Sequence, residues 1–250
     1  MKIGIQLYSV LNEFKQDEHR TFEALSCMGY QGIEFAFSFG AQPSERLKED
    51  LRRLNLCPVS FYSSYPLDTL TNPEHELYQR AKELKMRHIT VGSGDYVRSD
   101  WPGTIKKVIE IAGVARKHGL TLNYHNHTDE FELIGGKRAL ALLAEETDPD
   151  LVKIELDTHF TMKAGENPLE WMERFAGRMP LLHIKDIKLN EKKVIEIGDG
   201  DLDIINVWRT AEKIGVQWVI VEFHNIDGNA PLDSAQRCVA NLKKHGLIGK

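Results

Sequence analysis

A chain of 250 residues with 42% apolar and 28% charged positions can bury a large core without disulfide or metal staples. Its net charge of −5 offers nothing for nucleic acid or an anionic membrane to hold, and no apolar run reaches bilayer length. Cys27, Cys57 and Cys238 are far apart and odd in number, which fits reduced core thiols rather than a disulfide framework or a zinc knuckle.

The opening MKIGIQLYSV starts directly on a strand pattern with no secretory signal, so a cytoplasmic location is expected. Lys2–Tyr8 is that first strand and His19–Met28 the first helix. Gly32–Phe37 and Ser44–Leu54 follow, then Pro58–Tyr62 and Pro73–Leu84, then His88–Gly92 and Trp101–His118. The second half continues with Leu120–His125 and Lys137–Glu146, Leu151–Asp157 and Pro168–Phe175, Leu181–Lys185 and Asp203–Ile214, and finally Gln217–Glu222 and Leu232–His245. In Trp101–His118, Ile105, Val108, Ile109, Ala112 and Ala115 recur at three- and four-residue steps, an amphipathic stripe. Gly29, Gly119 and Gly215 each close a helix just before a strand, where a left-handed cap is needed. Strand and helix alternating with short joints require parallel strands and right-handed crossovers. Eight such units predict a closed (β/α)8 TIM barrel, one domain over 1–250, with its active site at the C-terminal ends of the strands.

Four polar groups stand at or just beyond the ends of the last four strands. Glu130 follows LTLNYHNH, Asp157 closes VKIELD, His183 lies in LLHIKD and Glu222 closes WVIVE. Converging at one mouth, three carboxylates and one imidazole suit a single divalent metal ion. For Asp157 the competing role is a helix N-cap. Asp129 and Glu132 compete with Glu130 as solvated loop acids. His125 and His127, two apart on one strand face, can serve as ligands, as acid/base groups or as donors to substrate.

Alternation places Lys153 and Glu155 on the inward face with Asp157, Leu181 and Lys185 with His183, and Trp218 and Ile220 with Glu222. Gln6, Tyr8 and Glu34 lie opposite the aliphatic residues of the first two strands. So many charges inside a barrel must pair, meet a metal or touch a polar ligand, and a pocket for a sugar or polyol is the economical explanation.

YHNHTDEF, LDTHFTMKAGENP, HIKD, the stretch from Gly198 to Asp203, IVEFHN, and the early IGIQLYSV and YQGIEF together resemble the xylose isomerase-like TIM-barrel superfamily. More narrowly they are similar to its sugar phosphate isomerase/epimerase branch, which also holds inosose dehydratases and ketose 3-epimerases. The resemblance implies one ion of Mn²⁺, Mg²⁺, Co²⁺ or Zn²⁺ on Glu130, Asp157, His183 and Glu222. His159-Phe160 and Phe223-His224-Asn225 depart from the aromatic pair and the Gln-Asp common in that branch, and both lie at the expected substrate rim.

The ligand types imply a mechanism. A cation bridging a hydroxyl and the adjacent carbonyl stabilises the enediolate formed when a proton α to the carbonyl is lost. Glu130 and Glu222 are the candidate acid and base, His127 can assist, and Lys185 can hold an oxyanion or hydroxyl. Gln6, Tyr8, Glu34, His125, His159 and His224 are the expected substrate contacts. The same intermediate can expel a β-hydroxyl, so a lyase dehydrating a keto-inositol or keto-sugar is the alternative. A metal-independent sugar-binding module is a further one. Gly92-Ser93-Gly94 could cradle an anion, but a plain loop is the simpler account, and no convincing phosphate site is visible. A three-zinc DNA-repair nuclease would need more ligands on the early strands and a basic face. The partner expected is a small sugar or polyol, with no nucleic acid and no membrane; a homo-oligomer is left open.

Overall fold

The computed structural model describes residues 1–92, 100–224 and 226–249. Eight parallel strands close a barrel in chain order: β1 (Lys2–Gln6), β2 (Gly32–Ala36), β3 (Cys57–Ser63), β4 (His88–Gly92), β5 (Thr121–His125), β6 (Val152–Asp157), β7 (Leu181–Ile184) and β8 (Trp218–Val221), with β8 hydrogen-bonded back to β1. Helices pack outside and return the chain from the end of one strand to the start of the next, so the fold is a single (β/α)8 barrel. No helix among the described residues is long and apolar enough to cross a membrane.

Differences from the sequence expectation lie at element ends. Helix Pro73–Leu84 contracts to Glu76–Glu83, with His75 capping its start. Lys137 and Arg138 pair with Leu133 and Ile134 in a small hairpin instead of opening a helix. After β1 the chain tightens at once into a 3₁₀ turn, Leu7–Val10, which takes Tyr8 off the strand. Between β6 and the helix Pro168–Arg174 lies an extra short helix, Thr158–Lys163.

The outward faces of the strands carry Ile3, Ile5, Ile33, Phe35, Ile154 and Leu156, all buried against the helices in the main core. The inward faces divide by height. Near the strand starts, Val59, Leu181, Trp218 and Ile220 form a separate apolar cluster inside the barrel. Glycine on the facing strands makes room for it. A Cβ on Gly32 would stand 2.5 Å from both the Trp218 ring and Val59 Cγ2, and one on Gly4 would stand 2.8 Å from Ile220 Cδ1. Gly32→Ala is therefore expected to cost about 1–3 kcal/mol by overpacking, read as a lower urea midpoint. Trp218→Phe in the same chain should recover part of the loss. If Gly32→Ala unfolds at the wild-type midpoint, the floor is not tightly packed.

Lys153 shares the inward parity of Glu155 but sits low on β6. Its side chain is 22% exposed and 3.9 Å from Asp150, so it belongs to the rim at the strand starts and not to the polar interior. His88 also begins its strand low, but it is buried, with Nδ1 3.3 Å from Asn123 Nδ2. Burial, with help from Arg87, pushes its pKa down to about 4. Between that value and the unfolded pKa near 6.5, only the unfolded chain takes up the proton, so acidification through this window drains stability. The loss attributable to His88 is complete below about pH 4 and amounts to roughly 3 kcal/mol. Urea titrations of wild type and His88→Gln between pH 7 and 4 should give the variant the shallower decline.

The stretch from Gly198 to Asp203 has a structural role. Buried Asp186 accepts backbone N–H bonds from Ile187 (2.8 Å), Gly198 (2.9 Å), Gly200 (3.1 Å) and Leu202 (3.0 Å). A side chain on Gly200 would strike the Asp186 carboxylate, which accounts for glycine there.

Candidate metal centre

Above the apolar floor, the inward positions become polar and buried: Glu34 on β2, Ser60 on β3, Thr90 on β4, Asn123 and His125 on β5, Glu155 and Asp157 on β6, His183 on β7, then Lys185 and Glu222 just past β7 and β8. Four of these, His125, Asp157, His183 and Glu222, each offer a donor atom, and the four atoms lie within 4.8 Å of one another. Parallel pairing sets Asp157 opposite His183 and His125 opposite Glu155, the inward position just before Asp157.

Asp157 takes the capping role with one oxygen and keeps the other out of it. Its Oδ1 caps the helix Thr158–Lys163 by accepting from Phe160 N at 2.9 Å. Its Oδ2 is buried without a hydrogen-bond partner among the described residues and lies 3.9 Å from His125 Nε2. Asn126 fixes the backbone here, its Oδ1 accepting from Asp157 N at 3.0 Å. His183 is held on both sides, Nδ1 3.0 Å from Glu222 Oε2 and Nε2 2.7 Å from Glu34 Oε1. Lys185 Nζ bonds the other oxygen of Glu222 at 2.6 Å. Gln6 Nε2, at 2.7 Å, and the Ser60 hydroxyl complete the shell around Glu34.

Protonation follows from burial set against these neighbours. Burial alone would raise Glu222, but Lys185 and His183 hold it well below the usual carboxylate range. Asp157 is pushed up to about 6, burial outweighing Lys185. Glu155, buried and beside Glu34, is raised well above the ordinary value, whereas His183 and the hydrogen bonds to Glu34 overcome burial there and keep it ionised. Burial, aided by His183 and His127, keeps His125 neutral, the form that ligates metal. His183 is opposite in sign: burial would lower its pKa, but Glu155, Glu34 and Glu222 raise it. Once His183 gives up its proton, two imidazoles and two carboxylates, one of them the Asp157 group with its orphaned buried oxygen, fit a borderline divalent cation.

Glu130 lies outside this group. The chain after β5 winds into a 3₁₀ turn, Asp129–Phe131, that swings the buried Glu130 back on its own strand. There its Oε1 accepts from Tyr124 Oη at 3.1 Å and its Oε2 from His127 N at 2.7 Å. Gln6 and Glu34 are likewise spent on the buried network. The remaining expected contacts form an arc of rings at the mouth. Tyr8 is 6.1 Å from His224, His224 6.5 Å from His159, and His159 4.9 Å from Phe160. Phe160 is then 4.8 Å from His127, and Lys185 Nζ lies 5.0 Å over the Phe160 ring. Burial lowers His127 to about 4 and His159 to about 3, so both are neutral donors or acceptors. Gly92 leaves room for this wall, since a Cβ there would stand 2.9 Å from Tyr62 Oη and 3.1 Å from His127 Cε1. Ser93, Gly94 and Asn225 lie outside the described residues.

The barrel and its buried polar cluster meet their decisive comparison at family level. A model described as xylose isomerase-like TIM barrel matches residues 22–245. The chain belongs to that family. Its relatives include an inosose dehydratase of Geobacillus kaustophilus (strain HTA426), 24% identical over 142 residues, which is 50% of this chain and 46% of that protein. The match thus spans about half the length of that curated relative. Among solved family-like structures, a sugar phosphate isomerase/epimerase from Parabacteroides distasonis ATCC 8503 superposes with a TM-score of 0.85 at 23% identity, covering 99% of this chain and 96% of that one. The IolI protein with a bound zinc atom superposes with a TM-score of 0.74 at 14% identity, covering 99% and 97%. The curated relative is named an inosose dehydratase and the superposed structure a sugar phosphate isomerase/epimerase.

Proposed function

We propose that this chain is a divalent-metal-dependent isomerase or epimerase of a small keto-sugar or keto-polyol, moving a proton on a carbon beside the carbonyl. One observation carries the proposal. His125, Asp157, His183 and Glu222 present buried donor atoms within 4.8 Å of one another, with the Lys185 ammonium on Glu222. These four are the candidate ligands, His125 standing where Glu130 was expected, and the zinc in the IolI protein supports an ion of the Zn²⁺, Mn²⁺, Co²⁺ or Mg²⁺ group. When bound, such an ion supplies a Lewis acid to a carbonyl and its neighbouring hydroxyl.

The chain's residues then divide the work. Glu222 is ionised and takes the proton from carbon. Its basicity rises when a substrate hydroxyl draws Lys185 away, since Lys185 is what chiefly holds it down. Lys185 binds the developing oxyanion or a hydroxyl. Glu130 acts through His127, fixing its backbone so that the ring faces the mouth. His127, His159 and His224 bond substrate hydroxyls as neutral rings.

Dehydration is the second reading, favoured by the name of the curated relatives. Glu222 would take the same proton, and Lys185 would hand one to the β-hydroxyl as it leaves as water. Ketoses, keto-inositols and their phosphates incubated with the Mn²⁺-loaded protein in deuterated water decide between them by NMR. Deuterium at carbon with the skeleton intact means isomerisation or epimerisation, and loss of water means dehydration. Absence of both across the panel, in a protein that also retains no metal by elemental analysis, would sink the proposal.

A further inference from the structure

Phe37 directly follows β2 at the mouth of the barrel. Strand parity would send it outward into the helix layer with Ile33 and Phe35, both fully buried. It does not go there. Its φ is +64°, and Ser38 N donates to Ala36 O at 2.8 Å across it, closing a three-residue turn of the rare strained kind. For a bulky residue this backbone is an outlier that glycine would adopt freely. Burial does not account for phenylalanine here, because the side chain remains 43% exposed. What the turn achieves is to stand the ring edge-on to Tyr8, with centroids 5.3 Å apart, at the open end of the arc that continues through His224 and His159.

We propose that Phe37 is a specificity-determining residue, an aromatic shelf for the C–H face of a closed-ring polyhydroxylated ketone. The inference rests on the carbohydrate reading of the site and narrows its substrate class. A ring sugar or cyclitol carries its hydroxyls toward its edges and presents C–H bonds on its faces. Their partial positive charge meets the negative face of an aromatic ring, while the buried polar groups below take the hydroxyls and the carbonyl. An open chain has no such face to offer. The strain in the turn is then the cost of holding an apolar ring at the mouth, the pattern in which backbone outliers accompany ligand sites.

The test separates the ring from its backbone. Phe37→Gly removes both, Phe37→Ala removes the ring but keeps a Cβ at positive φ, and Phe37→Tyr keeps both. Binding of 2-keto-myo-inositol and of the open-chain control dihydroxyacetone to the Mn²⁺-loaded protein is followed by ligand-observed NMR, with thermal unfolding and sedimentation alongside. Affinity for the keto-inositol should fall about 3- to 10-fold in the Gly and Ala variants and hold in the Tyr variant. Dihydroxyacetone should bind all four proteins equally. The melting temperature should rise by roughly 2–4 °C in Phe37→Gly only. Unchanged keto-inositol affinity in Phe37→Ala overturns the shelf, as does an equal loss for dihydroxyacetone, no keto-inositol binding by the wild type, or a change of oligomeric state with affinity preserved. Binding that follows the ring in a protein that exchanges no substrate proton leaves the shelf standing and removes the isomerase reading instead.

Discussion

Asp157→Asn is expected to strip the metal from the protein while leaving its fold in place. The substitution keeps an oxygen for Phe160 N, the bond that starts the helix Thr158–Lys163. What changes is Oδ2, the buried oxygen with no hydrogen-bond partner among the described residues that faces the His125 ring. An amide NH₂ there turns an anionic donor atom into a hydrogen-bond donor and removes one of two carboxylates from the proposed ligand set. Changes to groups that merely orient metal ligands cost about 10–100-fold in affinity, so loss of a ligand should exceed about 100-fold. Elemental analysis and calorimetric titration with Mn²⁺ or Zn²⁺ measure it, and unfolding should stay within a few degrees of wild type. Glu130→Gln serves as the contrast. Glu130 binds Tyr124 and His127 N, so its variant should retain the ion. Equal loss of metal from both variants would return Glu130 to the ligand set.

Glu222→Gln should retain part of its metal and lose proton exchange at carbon. The amide keeps the volume and one oxygen for Lys185 or the ion, but it has no basicity. General acid–base contributions of about 10²–10⁴ set the scale of the loss, read as the rate of deuterium uptake at saturating metal. Lys185→Ala should act differently. It removes the cation that holds Glu222 ionised, sparing the four candidate ligands but weakening substrate binding and turnover. Near-normal exchange in Glu222→Gln with metal bound would move the base to His127.

The eight strands were readable because each is a short apolar run before a polar joint, and three of them follow a helix closed by glycine, at Gly29, Gly119 and Gly215. Inward parity was readable too, placing Glu34, Glu155, His183, Ile220 and Trp218 inside. Parity does not report height, and so Lys153 looked interior although it sits at the strand starts. The fourth member of the buried cluster was hidden for a different reason. In YHNHTDEFE both His125 and Glu130 are within reach of the mouth, and in the tight turn at Asp129–Phe131, which no local residue pattern announces, Glu130 bonds Tyr124 and His127 N. The capping oxygen of Asp157 and the carboxylate nest of Asp186 depend on backbone amides, which sequence does not display.

The interior of this barrel is layered like a hearth, with an inert stone below and a working surface above. Trp218 and Val59 close on Gly32 and Ile220 on Gly4, with Leu181 in the same apolar cluster, and the buried ionisable residues gather in a second cluster of their own. Asp157, Lys185 and Glu222 stand at strand ends or just past them, so exchanging one of these should leave the apolar closure untouched. That separation gives a physical reason why one barrel frame can serve different site chemistries. New chemistry can be tried by altering a few side chains above the floor, at little risk to the closure that lets the barrel fold.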